Sequence, residues 1–171
     1  YWTTQTAQHF DTVIAVEASG DTFAMLSENA GTLPNVTLHR AAIHQTSGQT
    51  MTFVNIHNSH ASAQLGDAVG ALDTTETVET VAIDDLIAPN IPALIKLDVE
   101  GAEIAAFAGA MRTITDGSVF LYEDHGNDPT CAPSAYLFTQ PDIHIYAIGP
   151  SLTRITTLDQ MRTLKIDPFT G

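Results

Sequence analysis

The residues best suited to acid–base chemistry are carboxylates that follow a short apolar run at residues 93–97 (ALIKL). Asp98 and Glu100 are two positions apart, so in an extended segment their side chains point to the same side of the chain. Two converging carboxylates repel each other, which disfavours a purely structural role. Gly101 permits a sharp turn and leaves room for a ligand. We therefore interpret Asp98 and Glu100 as candidate catalytic residues, and Glu103 as a charge that favours the following helix.

Two more apolar runs end in residues that can do chemistry. Glu17 ends the run at residues 12–16 and is followed by small residues. A carboxylate at such a strand end can accept hydrogen bonds from both hydroxyls of a ribose, although it can also serve only as a charge near a helix N-terminus. His125 follows Glu123 and Asp124, directly after a third apolar run. It is a candidate general base or metal ligand.

The composition narrows the function classes. Acidic residues number 20 and basic residues six, so nucleic acids and anionic membrane surfaces are not expected partners of this acidic protein. No apolar run approaches the ~20 residues of a membrane span. The single cysteine, Cys131, excludes an internal disulfide and a cysteine-based zinc site, and a chain without disulfides fits a cytoplasmic location. Its 171 residues predict a single domain, 1–171.

Hydrophobic periodicity predicts an open α/β sheet that places these side chains at the carboxyl ends of strands. The apolar runs at 12–17, 93–98 and 119–123 are typical of strands buried on both faces of a parallel sheet. Helices are predicted at 20–30 and 101–114, and residues 1–10 resemble the end of another. The other expected elements are strands at 35–42, 49–54 and 77–83, a long loop at 58–75, and an antiparallel pair at 144–148 and 154–158.

Several of these segments together resemble a known family. Residues 95–103 (IKLDVEGAE) with the Gly-Ala at 109–110, and the shorter blocks 13–17 (VIAVE) and 81–86 (VAIDDL), are similar to the FkbM family of class I, S-adenosylmethionine-dependent methyltransferases. The similarity runs from about residue 10 to about residue 150. It implies a Rossmann-like class I methyltransferase sheet, mostly parallel, with an antiparallel C-terminal pair.

The resemblance also implies roles for individual residues. Glu17 would bind the ribose of S-adenosylmethionine, with Ala41, Ala42 and Ile43 near the adenine. Asp98 and Glu100 would lie nearest the methyl-transfer centre, Asp98 also contacting the cofactor. The positions expected at the substrate are Asn58, Ser59, Ser62 and Glu123.

One feature of the family is missing from these residues. Class I methyltransferases open with a buried strand and a loop of the type Asp-x-Gly-Ala-x-x-Gly, whose amides hold the methionine end of the cofactor. These residues contain no such loop. We therefore expect an N-terminally incomplete domain that lacks the first strand and the glycine-rich loop, or alternatively a degenerate domain without activity.

The implied reaction is O-methylation of a small molecule or a sugar hydroxyl, with Asp98 or His125 as the base. A divalent cation is compatible with this chemistry but not required. Two alternatives remain open at this point: a non-catalytic Rossmann-like binding domain, and a metal-dependent hydrolase that uses Asp98, Glu100 and His125. Neither the methyl acceptor nor the oligomeric state follows from the sequence.

Overall fold

A computed structural model describes residues 2–55, 63–65, 74–124 and 128–165. The helices in these ranges are α1 (Trp2–Thr6), α2 (Gly20–Ala30), α3 (Ile83–Leu86), α4 (Glu103–Ala108), α5 (Met111–Thr115), α6 (Ala132–Phe138) and α7 (Leu158–Leu164). The strands are β1 (Val13–Glu17), β2 (Val36–Arg40), β3 (Ala42–Ile43), β4 (Thr50–Asn55), β5 (Ala63–Leu65), β6 (Thr74–Val81), β7 (Leu94–Leu97), β8 (Val119–Tyr122), β9 (Ile145–Ile148) and β10 (Leu152–Ile155).

The chain divides into two compact units. One contains Tyr1–Ile95 and Val99–Val119, and the other contains Lys96–Asp98 and Phe120–Gly171. Strands β7 and β8 pair with each other in a two-stranded sheet. Among the described residues, none of the helices has the length and apolarity needed to cross a membrane.

In the first unit, β1, α2 and β2 form a βαβ element in which β1 and β2 are parallel. The helix begins where the sequence predicts, because the Ser19 hydroxyl accepts the Thr22 amide at 3.4 Å and so supplies an N-cap. It ends at Gly31, whose amide donates to the Ser27 carbonyl at 2.9 Å. A Cβ at position 31 would lie 2.5 Å from that carbonyl oxygen, so only glycine fits.

The second sheet of this unit has the order β3-β6-β4-β5. Strand β3 runs parallel to β6, whereas β4 is antiparallel to both β5 and β6. The alternation predicted for β6 is confirmed: Val78 and Thr80 are buried and their neighbours on the chain are exposed or half-buried. Val78 packs with Ala42 and Phe53 in a small core on one face.

The helix predicted over residues 101–114 is wrong in its continuity, because α4 and α5 are separate helices on either side of Gly109 and Ala110. A Cβ at position 109 would lie 2.4 Å from the His44 carbonyl oxygen. The backbone at position 109 therefore lies too close to the backbone at His44 to leave room for a side chain on residue 109. The helix breaks where this tertiary contact occurs. The hydrophobic period continues through the break, so the sequence pattern does not reveal it.

In the second unit, β9 and β10 are antiparallel, which confirms the predicted C-terminal pair. Helix α6 lies in a segment for which the sequence predicts no helix or strand. Pro133 lies in the first turn of α6, where a missing amide costs no hydrogen bond. The second strand of the pair is predicted too far along the chain: β10 begins two residues earlier and ends three residues earlier than the predicted 154–158, and Leu158 already belongs to α7.

The predicted burial of three strands is wrong in part. Ile14 in β1 is 38% exposed, Leu94 in β7 is 50% exposed and Val119 in β8 is 57% exposed. A continuous apolar run shows that a strand can be buried, but burial also needs a covering layer on each face. In the described residues these strands belong to two-stranded sheets.

A mixed α/β fold with parallel pairs β1–β2 and β3–β6 is thus confirmed. The finer Rossmann-like arrangement, the missing first strand and the single-domain organisation stay predictions.

Candidate functional site

Glu17 is the last residue of β1, at the carboxyl end of the parallel β1–β2 pair. Its Oε1 accepts the Ser19 amide at 2.8 Å, which fixes the carboxylate in the turn between β1 and α2. Burial raises the pKa of Glu17, and the nearby Glu76 charge raises it further, while the backbone amides of Ser19 and Ala18 act in the opposite direction. The carboxylate is therefore oriented by the chain but only partly compensated.

Glu76 of β6 is the residue of this site that the sequence interpretation missed. Both of its carboxylate oxygens accept the Gly20 amide, at 3.0 and 3.1 Å, and it forms an ion pair with Arg40 at the end of β2. A Cβ at position 20 would lie 2.8 Å from the Glu76 carboxylate and 2.9 Å from the Arg40 guanidinium, so these two groups fill the space above the glycine. No local signal indicates this role, because Glu76 and Gly20 are 56 positions apart in the chain.

The three positions expected near the adenine follow β2 directly. The Ala41 amide donates to the Glu17 carbonyl at 3.1 Å, so the structure brings Ala41 beside Glu17. Ala42 is 4% exposed, and its side chain packs in the small core with Phe53. Ile43 is half-buried and pairs with Val81 of β6. Ala42 therefore has a structural role whether or not a ligand binds here.

The predicted pair of Asp98 and Glu100 rests on an assumption that the backbone contradicts. Glu100 has φ 44° and Gly101 has φ 94°, so the segment is a turn and not an extended strand. The period-two argument for their common direction is therefore wrong. In the second unit, Asp98 is exposed and its Oδ2 pairs with Lys96 Nζ at 2.5 Å. In the first unit, Glu100 is half-buried.

Glu103 lies in the first turn of α4, as predicted for a charge that favours a helix N-terminus. Its Oε1 accepts the Gly101 amide at 3.1 Å, so it also holds the turn that precedes the helix. The side chain is only 3% exposed, which the sequence did not indicate.

A buried polar cluster follows β8 in the second unit. Asp124 Oδ1 pairs with Lys165 Nζ at 2.7 Å, and Asp124 Oδ2 accepts the amide and the hydroxyl of Ser134. The Ser134 hydroxyl is 2.8 Å from the Tyr122 hydroxyl, and burial raises the pKa of Tyr122. Burial disfavours the charged form of Lys165, but the bond to Asp124 raises its pKa above the ordinary value. Glu123, by contrast, is exposed.

Four of the predicted site residues, His125, Asn58, Ser59 and Ser62, lie outside the described residues. In the part of the chain that is described, no group of three or more His, Cys, Asp or Glu residues has the arrangement of a metal site. His125 would be needed to complete the set with Asp98 and Glu100, so the possible cation stays a prediction.

Glu17 and Ala41 lie together at the carboxyl end of β1. The Glu17 carboxylate, oriented by the Ser19 amide, can accept hydroxyl hydrogen bonds, whereas Ala41 and Ala42 are buried.

Comparison with known proteins gives one finding. Residues 7–153 match the family model described as the methyltransferase FkbM domain. Neither the curated proteins nor the solved structures that were compared include a match.

Proposed function

Because the chain belongs to the FkbM methyltransferase family, we propose that it transfers the methyl group of S-adenosylmethionine to a hydroxyl oxygen of a small molecule or a sugar. The family match, which spans most of the chain, is the observation that carries this proposal. When bound, the cofactor supplies a methyl group activated by a sulfonium centre, so the protein mainly has to position donor and acceptor.

Glu17 is proposed to hold the ribose. Its carboxylate is fixed by the Ser19 amide at the carboxyl end of β1, which is where open α/β folds bind nucleotides. Ala41 lies beside it and, with Ala42 and Ile43, would border the adenine. Arg40 neutralises Glu76, so the charge next to Glu17 is partly balanced. This arrangement keeps Glu17 available as an acceptor of hydroxyl hydrogen bonds.

The acceptor hydroxyl must lose a proton during methyl transfer. Asp98 is exposed and its carboxylate is held by Lys96, so this carboxylate is accessible to the hydroxyl of an acceptor molecule. We propose Asp98 as the general base, with Glu100 and His125 as further candidates. The positions Asn58, Ser59, Ser62 and Glu123 are proposed to contact the acceptor.

A thermal-shift comparison tests the cofactor class. A ligand that binds only the folded chain at a concentration 100 times its Kd stabilises it by about 2.7 kcal/mol, which raises the Tm by roughly 5–10 °C for a chain of this size. We expect S-adenosylmethionine and S-adenosylhomocysteine to produce such a shift and NAD⁺ to produce none. An equal Tm shift with NAD⁺, or a shift with NAD⁺ and none with the two S-adenosyl compounds, would overturn the proposed cofactor.

The reaction itself is tested with a donor that carries a trideuterated methyl group. The chain is incubated with this donor and, separately, with methyl glycosides, phenols and aliphatic alcohols, and the products are analysed by mass spectrometry. We expect the label on oxygen of at least one class, and expect Asp98→Asn to slow its appearance. Label on a ring carbon of the phenols in place of oxygen, or no label on any of these hydroxyl compounds, would contradict O-methylation.

A further inference from the structure

Arg154 differs from the other basic side chains of the protein. In a chain with 20 acidic and six basic residues, each basic side chain has many carboxylates available. Within the described ranges, five of the six form an ion pair with a carboxylate, namely Arg40, Lys96, Arg112, Arg162 and Lys165. Arg154 forms no such pair there, and its Nη2 lies 3.1 Å from His144 Nδ1. Arg154 is exposed, so its guanidinium is accessible to an anionic group of a ligand.

A cavity of about 290 Å³ that is open to solvent lies beside this arginine, within the second unit, and Asp142, His144 and Arg154 in its wall are exposed. Its walls include the apolar side chains of Phe138 and Ile143 and the charged side chains of Asp142 and Arg154. His144 also lines it and accepts a hydrogen bond from Arg154, because a guanidinium has donors only. Nδ1 of His144 is therefore the acceptor in this hydrogen bond. At about 30 Å³ per water molecule, the volume corresponds to roughly ten waters, or a ligand of similar atom count.

The two charges of the cavity are opposite in sign and do not neutralise each other. Asp142 makes no ion pair with Arg154 or with any other basic side chain in the described ranges. A ligand with one anionic and one cationic group would satisfy both. A dianion would be repelled by Asp142, and a simple amine would leave Arg154 unpaired.

We propose that this cavity binds a small zwitterion of the α-amino acid type. The ligand carboxylate pairs with the guanidinium of Arg154, whose planar array of donors suits a carboxylate. Its ammonium pairs with Asp142, and an apolar side chain packs against Phe138 and Ile143. The proposal rests on the cavity and its charges and is independent of the proposed methyl transfer.

Three probes of equal shape separate the contributions of the two charges. L-Leucine carries both, 4-methylpentanoate lacks the ammonium, and 3-methylbutylamine lacks the carboxylate. Binding to the full chain is followed by NMR chemical-shift titration. Because each charged hydrogen bond contributes substantially, we expect leucine to bind about tenfold more tightly than either analogue. Equal affinity of leucine and either analogue, or no binding of leucine, would overturn the proposal.

Variants locate the site. Arg154→Met keeps an unbranched side chain but removes the charge, and Asp142→Asn keeps a residue type that tolerates the observed φ of 61°. We expect each to weaken leucine binding about tenfold, whereas Arg162→Met, which removes an arginine paired with Asp159, leaves it unchanged. Thermal melting shows which variants fold, and Asp142→Asn suffices if Arg154→Met does not. Unchanged affinity in a folded variant would contradict the assignment.

The amino-acid end of S-adenosylmethionine has the same chemistry as the proposed ligand. The leucine titration is therefore repeated with S-adenosylhomocysteine present in excess. An unchanged leucine affinity is expected for a separate amino-acid site. If S-adenosylhomocysteine competes with leucine in the wild type and this competition is lost in Arg154→Met, the cavity belongs to the cofactor and the proposal of a separate ligand is overturned.

Discussion

The amino end of α5 is capped by a side chain from α3. Ala110 precedes the helix and has no side-chain oxygen, but Asp84 Oδ2 accepts the Arg112 amide at 2.9 Å and Oδ1 accepts the Thr113 amide at 2.8 Å. The Thr113 hydroxyl also donates to Oδ1, at 2.7 Å, and Thr113 is fully buried. Asp84 thus satisfies helix donors that would otherwise have no partner.

The substitution Asp84→Ala removes the acceptor of all three bonds. Loss of a helix cap costs about 0.5–2 kcal/mol, and leaving the buried Thr113 donors without a partner costs a further ~1–3 kcal/mol. We therefore expect the free energy of unfolding to fall by about 3 kcal/mol. Urea denaturation followed by circular dichroism measures this change. The matched control is Glu28→Ala, which removes an exposed acid from α2 and is expected to change stability by less than about 0.5 kcal/mol.

The same variant has a defined pH dependence. Burial disfavours the ionised form of Asp84, but the bonds from Thr113 and Arg112 outweigh it and lower its pKa below the ordinary 3.8. A lowered folded-state pKa contributes stability that is complete above the ordinary value and is lost as the pH falls through the folded value. The difference between wild type and Asp84→Ala should be constant above about pH 5 and shrink below pH 3.8. A difference below about 1 kcal/mol at neutral pH would refute the capping role.

Three further predictions are checked by the same denaturation assay. Gly109→Ala should lower the free energy of unfolding by about 1–3 kcal/mol, because its Cβ would lie 2.4 Å from the His44 carbonyl oxygen; no loss would contradict the close approach. Lys165→Met should cost about 3–5 kcal/mol by leaving Asp124, 7% exposed in its side chain, without its counter-charge; a neutral effect would contradict the buried pair. Glu17→Gln should raise the free energy of unfolding at neutral pH, because burial raises the pKa of Glu17 and so disfavours its ionised form. This stabilisation should vanish as the pH falls to the ordinary pKa of 4.5, and a lower free energy of unfolding in the variant at neutral pH would contradict the prediction.

The βαβ element of the first unit could be predicted because its signals are local. The N-cap Ser19, the terminating Gly31 and the β-branched run ending at Glu17 each specify a boundary within a few residues of chain. Glu17 was located correctly at a strand end for the same reason. Its function remains a prediction, because a strand end alone does not identify a ligand.

The features that could not be predicted depend on residues distant in sequence. Glu76 binds the amide of Gly20, 56 positions away, through the register of β6. The break at Gly109 accompanies packing against the backbone near His44, while the apolar period continues across it. The pair of Asp124 with Lys165 likewise joins two segments with no shared local signal. Single-residue chemistry reveals which side chains are capable of a role, whereas tertiary structure decides which of them meet.

The central claim is that Glu17 holds the ribose of the methyl donor. Its most direct test is a calorimetric titration of the chain with S-adenosylhomocysteine, in wild type, in Glu17→Ala and in Glu79→Ala, which removes an exposed acid from β6. We predict micromolar binding by wild type and the Glu79 variant, and a loss of at least about tenfold in Glu17→Ala, as expected for hydrogen bonds to a charged group. Equal affinity in Glu17→Ala, or no binding by the wild-type chain, would contradict the claim.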